Sequence, residues 1–242
     1  MKLYRNQDIE ALAETRLAQL TQALGTPLTL PIPIDLLAEK ILGLNFLWEP
    51  IEELPGEIIP GALLPKKRLI VLNEKRLSLF EEKPGVERST KGHEMGHWDL
   101  FIDKATLEHP TLFDGKGMSP FLRRRSDLGD VFTMQRLLAL PGGQDLLREI
   151  RSRADDPDEA RAVNRYAAAI SMPKGMLCEE ALKINRTNWS HLYDLAKKFD
   201  VTISALTVRL SQFNLLYIKR NGKQTVLYES ADDAVGQITL GL

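Results

Sequence analysis

Five consecutive residues, His93-Glu94-Met95-Gly96-His97, constrain this 242-residue chain more than any other stretch. On a helix, both imidazoles leave one face a single turn apart. That spacing lets them bind one Zn²⁺ through nitrogens at about 2.0–2.1 Å. Glu94 then sits one step round the helix, beside the ion. There it can take a proton from a water on the metal and later pass it to a leaving amine. Met95, Trp98, Phe101 and Ile102 supply an apolar flank, and Gly96 permits close packing. The motif therefore reads as part of a buried helix over about residues 89–101. The competing reading is an ordinary helix whose two histidines are satisfied by hydrogen bonds.

A catalytic zinc site needs a third protein ligand and an open position. The single cysteine, Cys178, reads as a small buried hydrophobe. His109 and His191 have no supporting pattern around them. A carboxylate on a second helix is the expectation, and Glu159 is the best candidate, with Asp155, Asp156 and Asp158 as alternatives. Glu159 opens a helix over about 158–171, ended by Pro173, whose face Ala162, Val163, Tyr166, Ala167, Ala169 and Ile170 is small and apolar. Small residues let two helices approach closely, as a shared metal requires. A charge in a first helical turn also has a plainer role, opposite the positive end of the helix dipole.

Around these two helices the chain alternates helical and extended patterns. Ile9, Leu12, Ala13, Leu17, Leu20 and Leu24 recur at helical spacing up to Gly25, and Asp35–Leu42 reads as a second helix capped by Gly43. Strands are expected at Leu44–Trp48, Gly61–Leu64 and Leu69–Asn73, and Pro84-Gly85 reads as a break before the histidine helix. Residues 104–150 read as an insertion holding Arg123-Arg124-Arg125, with a helix over Asp145–Arg153. Trp189–Phe199 and Ile203–Phe213 are two amphipathic helices around a turn at Asp200-Val201. Beyond them, Leu215–Lys219 and Gln224–Glu229 flank Asn221-Gly222, a hairpin signal. The fold class expected is α+β: a helical core with a small mixed or antiparallel sheet over residues 1–184. A helix-turn-helix-like segment with a β-hairpin wing fills 185–242.

Forty-three per cent apolar and 27% charged residues exclude a mostly disordered chain. A net charge of −1 gives no global drive toward nucleic acid or anionic membrane. One cysteine makes no internal disulfide, residues 1–8 lack the apolar core of a signal peptide, and no apolar run approaches membrane length. The expectation is a cytoplasmic protein.

The paired motifs carry a resemblance. His93-Glu94-Met95-Gly96-His97-Trp98, followed by Asn164-Arg165-Tyr166-Ala167-Ala168-Ala169-Ile170-Ser171-Met172-Pro173, resembles the ImmA/IrrE family of metallo-endopeptidases. That family shows H-E-L-G-H and a later E-x-x-A-N-x-F-A-A-x-L-L-M-P. The resemblance extends upstream to the helix-then-strands stretch Ile34–Asn73 and downstream to the segment Leu195–Leu210. It implies a zincin-like core and zinc-dependent cleavage of a helix-turn-helix transcriptional repressor or antitoxin-like partner, derepressing stress-response or mobile-element genes. Counting back from Met172-Pro173, the family's ligand glutamate falls at Ala160, one residue after Glu159. Mn²⁺ or another divalent ion stays open in place of zinc.

Residues 186–229 carry seven basic and three acidic side chains. Such a segment can dock a helix in a major groove. Ala205, Leu206, Val208 and Leu210 offer few long polar groups to read bases, so a scaffold or partner-docking role is favoured. The alternatives to the protease reading are a DNA-binding transcriptional regulator, or an inactive relative that sequesters its partner.

Overall fold

A computed structural model of the chain describes residues 4–51, 53, 58–104, 107, 157–221 and 224–234. The expected helix at 145–153, Arg123-Arg124-Arg125, His109, Asp155 and Asp156 lie outside these residues. So does the 104–150 insertion, apart from Lys104 and Leu107.

The chain opens with α1 (Asn6–Leu24), which buries Ile9, Ala13, Leu17 and Leu20 along one stripe. Gly25 ends it at φ +68°, a left-handed cap whose N–H donates to the Thr21 carbonyl. Next comes α2 (Ile34–Leu36), continued by a π-helical turn over Leu37–Leu42 and closed by Gly43, again left-handed. A three-stranded sheet follows, of β1 (Asn45–Glu49), β2 (Gly61–Leu64) and β3 (Leu69–Asn73). β3 is central. β1 runs parallel to it, from Asn45↔Leu69 to Glu49↔Asn73, and β2 antiparallel, from Gly61↔Leu72 to Leu64↔Leu69. The sheet is therefore mixed, and its middle strand buries Ile70, Val71 and Leu72 on both faces.

The short α3 (Leu77–Glu82) leads into α4 (Pro84–Phe101), which carries the histidine motif. Pro84-Gly85 does not precede this helix, as expected, but starts it. Proline at the first helical position has φ already set and lacks only an N–H that would be unbonded there. After the insertion come α5 (Pro157–Ser171) and α6 (Lys174–Ala181), the latter holding Cys178 and not apparent from periodicity. Then α7 (Trp189–Phe199), a turn with Asp200 at φ +54°, and α8 (Ile203–Gln212) lead to the hairpin β4 (Tyr217–Asn221) and β5 (Gln224–Tyr228). The architecture is mixed helix and sheet, an α+β chain.

Two apolar clusters hold it. The first joins α1, α2, the sheet, α4 and α5 through Leu20, Leu37, Leu63, Ile70, Met95, Trp98, Val163, Tyr166 and Ile170. The second joins Met172, α6, α7, α8 and the hairpin through Leu177, Leu192, Phe199, Leu206, Leu210 and Leu227. Arg209 of α8 pins the second to the first. Its fully buried guanidinium donates to Glu10 of α1 at 2.5 and 2.7 Å.

Candidate metal centre on helix α4

α4 packs against α5 through its glycines. A Cβ on Gly92 would stand 3.0 Å from the Ala167 Cβ, and one on Gly96 would stand 3.1 Å from the Val163 Cα. The pairs 92/167 and 96/163 run in opposite chain directions, so the helices are antiparallel and close at both contacts. This is the small-residue approach expected from the sequence.

Between those contacts the motif gathers. His93 Nε2 and His97 Nε2 lie 3.0 Å apart, with ring centroids at 4.6 Å. Two imidazoles bound to one tetrahedral zinc would separate these nitrogens by about 3.3 Å. The two Nε2 atoms lie within hydrogen-bond distance of each other, and their spacing is close to what a shared divalent ion would require. Across the helix interface, His93 Nδ1 meets Asn164 Oδ1 of α5 at 3.0 Å. Glu94 and His97 are each 2% exposed, while His93 is half-buried.

Two residues past His97, Asp99 ties three helices. Its buried carboxylate accepts from Arg16 of α1 at 2.8 and 2.7 Å, from Tyr166 Oη of α5 at 3.0 Å, and from Lys104 at 3.0 Å. Burial alone would raise this carboxyl's pKa, but Arg16 and Lys104 outweigh it and hold it below the ordinary carboxylate range. Burial and then the Asp99 charge push the Tyr166 phenol well above its usual value, so it stays a neutral donor. The ties to Arg16 and Tyr166 carried no signal at sequence level, because these two residues come from two other helices.

The described residues do not define the third ligand. Among the described residues, no three His, Cys, Asp or Glu side chains gather as a metal-holding group. Glu159 is half-buried and lines a cleft of about 710 Å³ with Asn164, but it does not join His93 and His97 in such a set. The register gives the reason. Asn164 faces His93, so one turn on along each helix Ala160 comes level with His97. Glu159 precedes it by one residue, about 100° round α5. Asp158 is exposed and paired with Arg161. His191, on α7, accepts from the Asn185 N–H at 3.3 Å, away from the motif.

The cleft runs along α5 between Tyr4, Asn6 and Ile9 near the start of α1 and Ser204, Ala205 and Val208 of α8. Ser89, one turn before His93 on α4, also lines it, as does Asn164. His93, Glu94 and His97 are not among the cleft's lining residues; Asn164, which bonds His93, is the link between cleft and motif. Asn164 belongs to both features. The sequence singles it out only as the start of the Asn164–Pro173 motif; its pairing with His93 comes from the antiparallel helix register.

The chain matches no protein-family model and no curated protein.

Proposed function

We propose that this chain is a zinc-dependent endopeptidase acting on a specific protein partner. The observation that carries this reading is the convergence of His93 and His97 Nε2 at 3.0 Å, with buried Glu94 between them in sequence on α4. His93 and His97 would hold the ion, with a third oxygen from the first turn of α5, where Glu159 stands. A bound divalent ion supplies Lewis-acid polarisation of the scissile carbonyl and acidifies water. Mn²⁺ or another divalent ion would serve in the same role.

Glu94 moves the proton. As the water oxygen bonds to the carbonyl carbon, Glu94 takes the water proton. It returns that proton to the amide nitrogen as the C–N bond breaks. Its burial keeps bulk water from competing for that proton. The cleft along α5 would give an extended polypeptide a place to lie, with Asn164, the partner of His93, in its lining. The resemblance to ImmA/IrrE peptidases supports a zincin-like core, with a helix-turn-helix repressor as the substrate class. It also supports a winged helix-turn-helix-like reading of α7, α8 and the hairpin.

The DNA-regulator reading loses ground at Arg209. That residue counted toward the basic balance of the tail, yet its guanidinium is buried against Glu10. Arg186 pairs with Glu229 at 2.9 Å and Lys198 with Glu180 at 2.5 Å, which neutralises more of the same face.

The test compares wild type, Glu159→Ala and Glu94→Gln for bound zinc and for cleavage of a candidate repressor. The expected outcome is about one zinc per wild-type chain, less in Glu159→Ala. Glu94→Gln should keep its zinc, with cleavage slower by about 10²–10⁴-fold. A Glu94→Gln protein that cuts at the wild-type rate removes the assignment. Cleavage-free wild type that binds the partner tightly would favour the sequestering alternative.

A further inference from the structure

We propose that Asn164 is a positioning residue that locks His93 in its Nδ1–H tautomer and so aims the Nε2 lone pair at the point shared with His97. The consequence for metal binding rests on the function proposed above; the tautomer itself does not. Asn164 Oδ1 is an acceptor only, so at 3.0 Å the His93 Nδ1 must be the donor. A neutral imidazole carries one N–H, which leaves Nε2 as the acceptor atom. That is the atom lying 3.0 Å from His97 Nε2.

The brace is rigid because it does not depend on Asn164 alone. Gly92 against Ala167 and Gly96 against Val163 clamp α4 to α5 on either side of the His93–Asn164 bond. The next two residues of α5 are anchored as well. Arg165 donates to Glu10 at 3.1 Å and Tyr166 to Asp99 at 3.0 Å, so α5 cannot rotate the amide away without breaking both. A side chain held this way fixes both the ring's tautomer and its orientation, which is how an outer-shell partner raises metal affinity.

Nitrogen-15 NMR of the imidazoles, taken above pH 8 on the metal-free full chain, tests the tautomer directly. Zinc competition against a chromophoric chelator tests the consequence. Wild-type His93 should show a protonated Nδ1 and a bare Nε2. Asn164→Ala should lose that signature and weaken zinc by about 10–100-fold. Asn164→Asp, which keeps an acceptor in place, should retain the signature and the affinity. Asn164 is an exposed position, so neither variant removes core packing. A wild-type His93 protonated at Nε2 overturns the proposal, as does an Asn164→Ala protein with unchanged tautomer and affinity. If wild type shows the Nδ1–H signature and Asn164→Ala loses it, yet neither binds zinc, the brace stands and the peptidase reading falls.

Discussion

A single carboxylate, Asp99, fastens three helices two residues beyond His97. It accepts from Arg16, Tyr166 and Lys104 at once, and its side chain is fully buried. Removing one partner of a buried ion pair leaves the other charge uncompensated, which typically costs about 3–5 kcal/mol. Asp99→Asn should therefore lower stability by about 3 kcal/mol, read as a shift in the urea midpoint with unchanged slope. An unshifted midpoint would mean that Arg16 finds equal satisfaction in water. His93, Glu94 and His97 were legible at this scale because their chemistry and spacing lie within one helical turn. The pairings of Asn164 and Asp99 were not. Their roles come from partners 71 and 83 residues away in the chain.

Among the elements, the α4–α5 pair decides the site. Gly96 leaves little room for a side chain, since a Cβ would lie 3.1 Å from three Val163 atoms, so the neighbouring helix must give way. Gly96→Ala should push the helices apart and cost about 1–3 kcal/mol, measurable by thermal unfolding. The same register makes a constructive prediction. Ala160 comes level with His97, so Ala160→Glu should add a carboxylate ligand and tighten zinc at least about tenfold, or ~1.4 kcal/mol. Unchanged affinity would show that residue 160 does not face the histidines. Several elements were readable in advance: Gly61–Leu64, Leu69–Asn73 and Trp189–Phe199 lie where patterning places them. Helix α4 was misread at its start because Pro84 serves there as a first helical residue rather than a break. α6 escaped because eight residues with two buried side chains make too short a pattern.

Across the whole molecule, Arg209 and Glu10 join the two apolar clusters, and Gly85 closes the seam. A Cβ on Gly85 would stand 2.6 Å from the Thr202 N and 2.7 Å from the Val201 carbonyl carbon. The turn between α7 and α8 thus rests on the first turn of α4. Arg88, one turn further along α4, donates to the Ile32 carbonyl and lies 3.8 Å from Asp200 of the same turn. No described helix is long and apolar enough to cross a membrane. Glu10 also sets a pH dependence. Its burial would raise the carboxyl's pKa, but Arg209 and Arg165 hold it below its ordinary value, as Arg16 and Lys104 do for Asp99. Groups depressed in the folded state bind fewer protons there than in the unfolded chain near their unfolded values of about 4. Their stabilisation is complete above that range and is lost as pH falls through the folded values. Melting temperature should hold from pH 7 to about 5 and drop below about 4, with a shallower drop in Asp99→Asn. An equal drop in both proteins would assign acid sensitivity to other groups.

The sequence alone determined what is local: the histidine-glutamate helix, the strands at 61–64 and 69–73, the helix that Pro173 ends, and the mixed helix-and-sheet class. Periodicity, glycine and proline act within a few residues, and a metal pair four residues apart obeys the same rule. Only the tertiary structure decided that Asn164 meets His93 and that Arg209 turns inward to Glu10. Each of these depends on how one helix rotates against another. A rotation of one residue, about 100°, exchanges which side chain faces the site, and no pattern along a single chain segment encodes it.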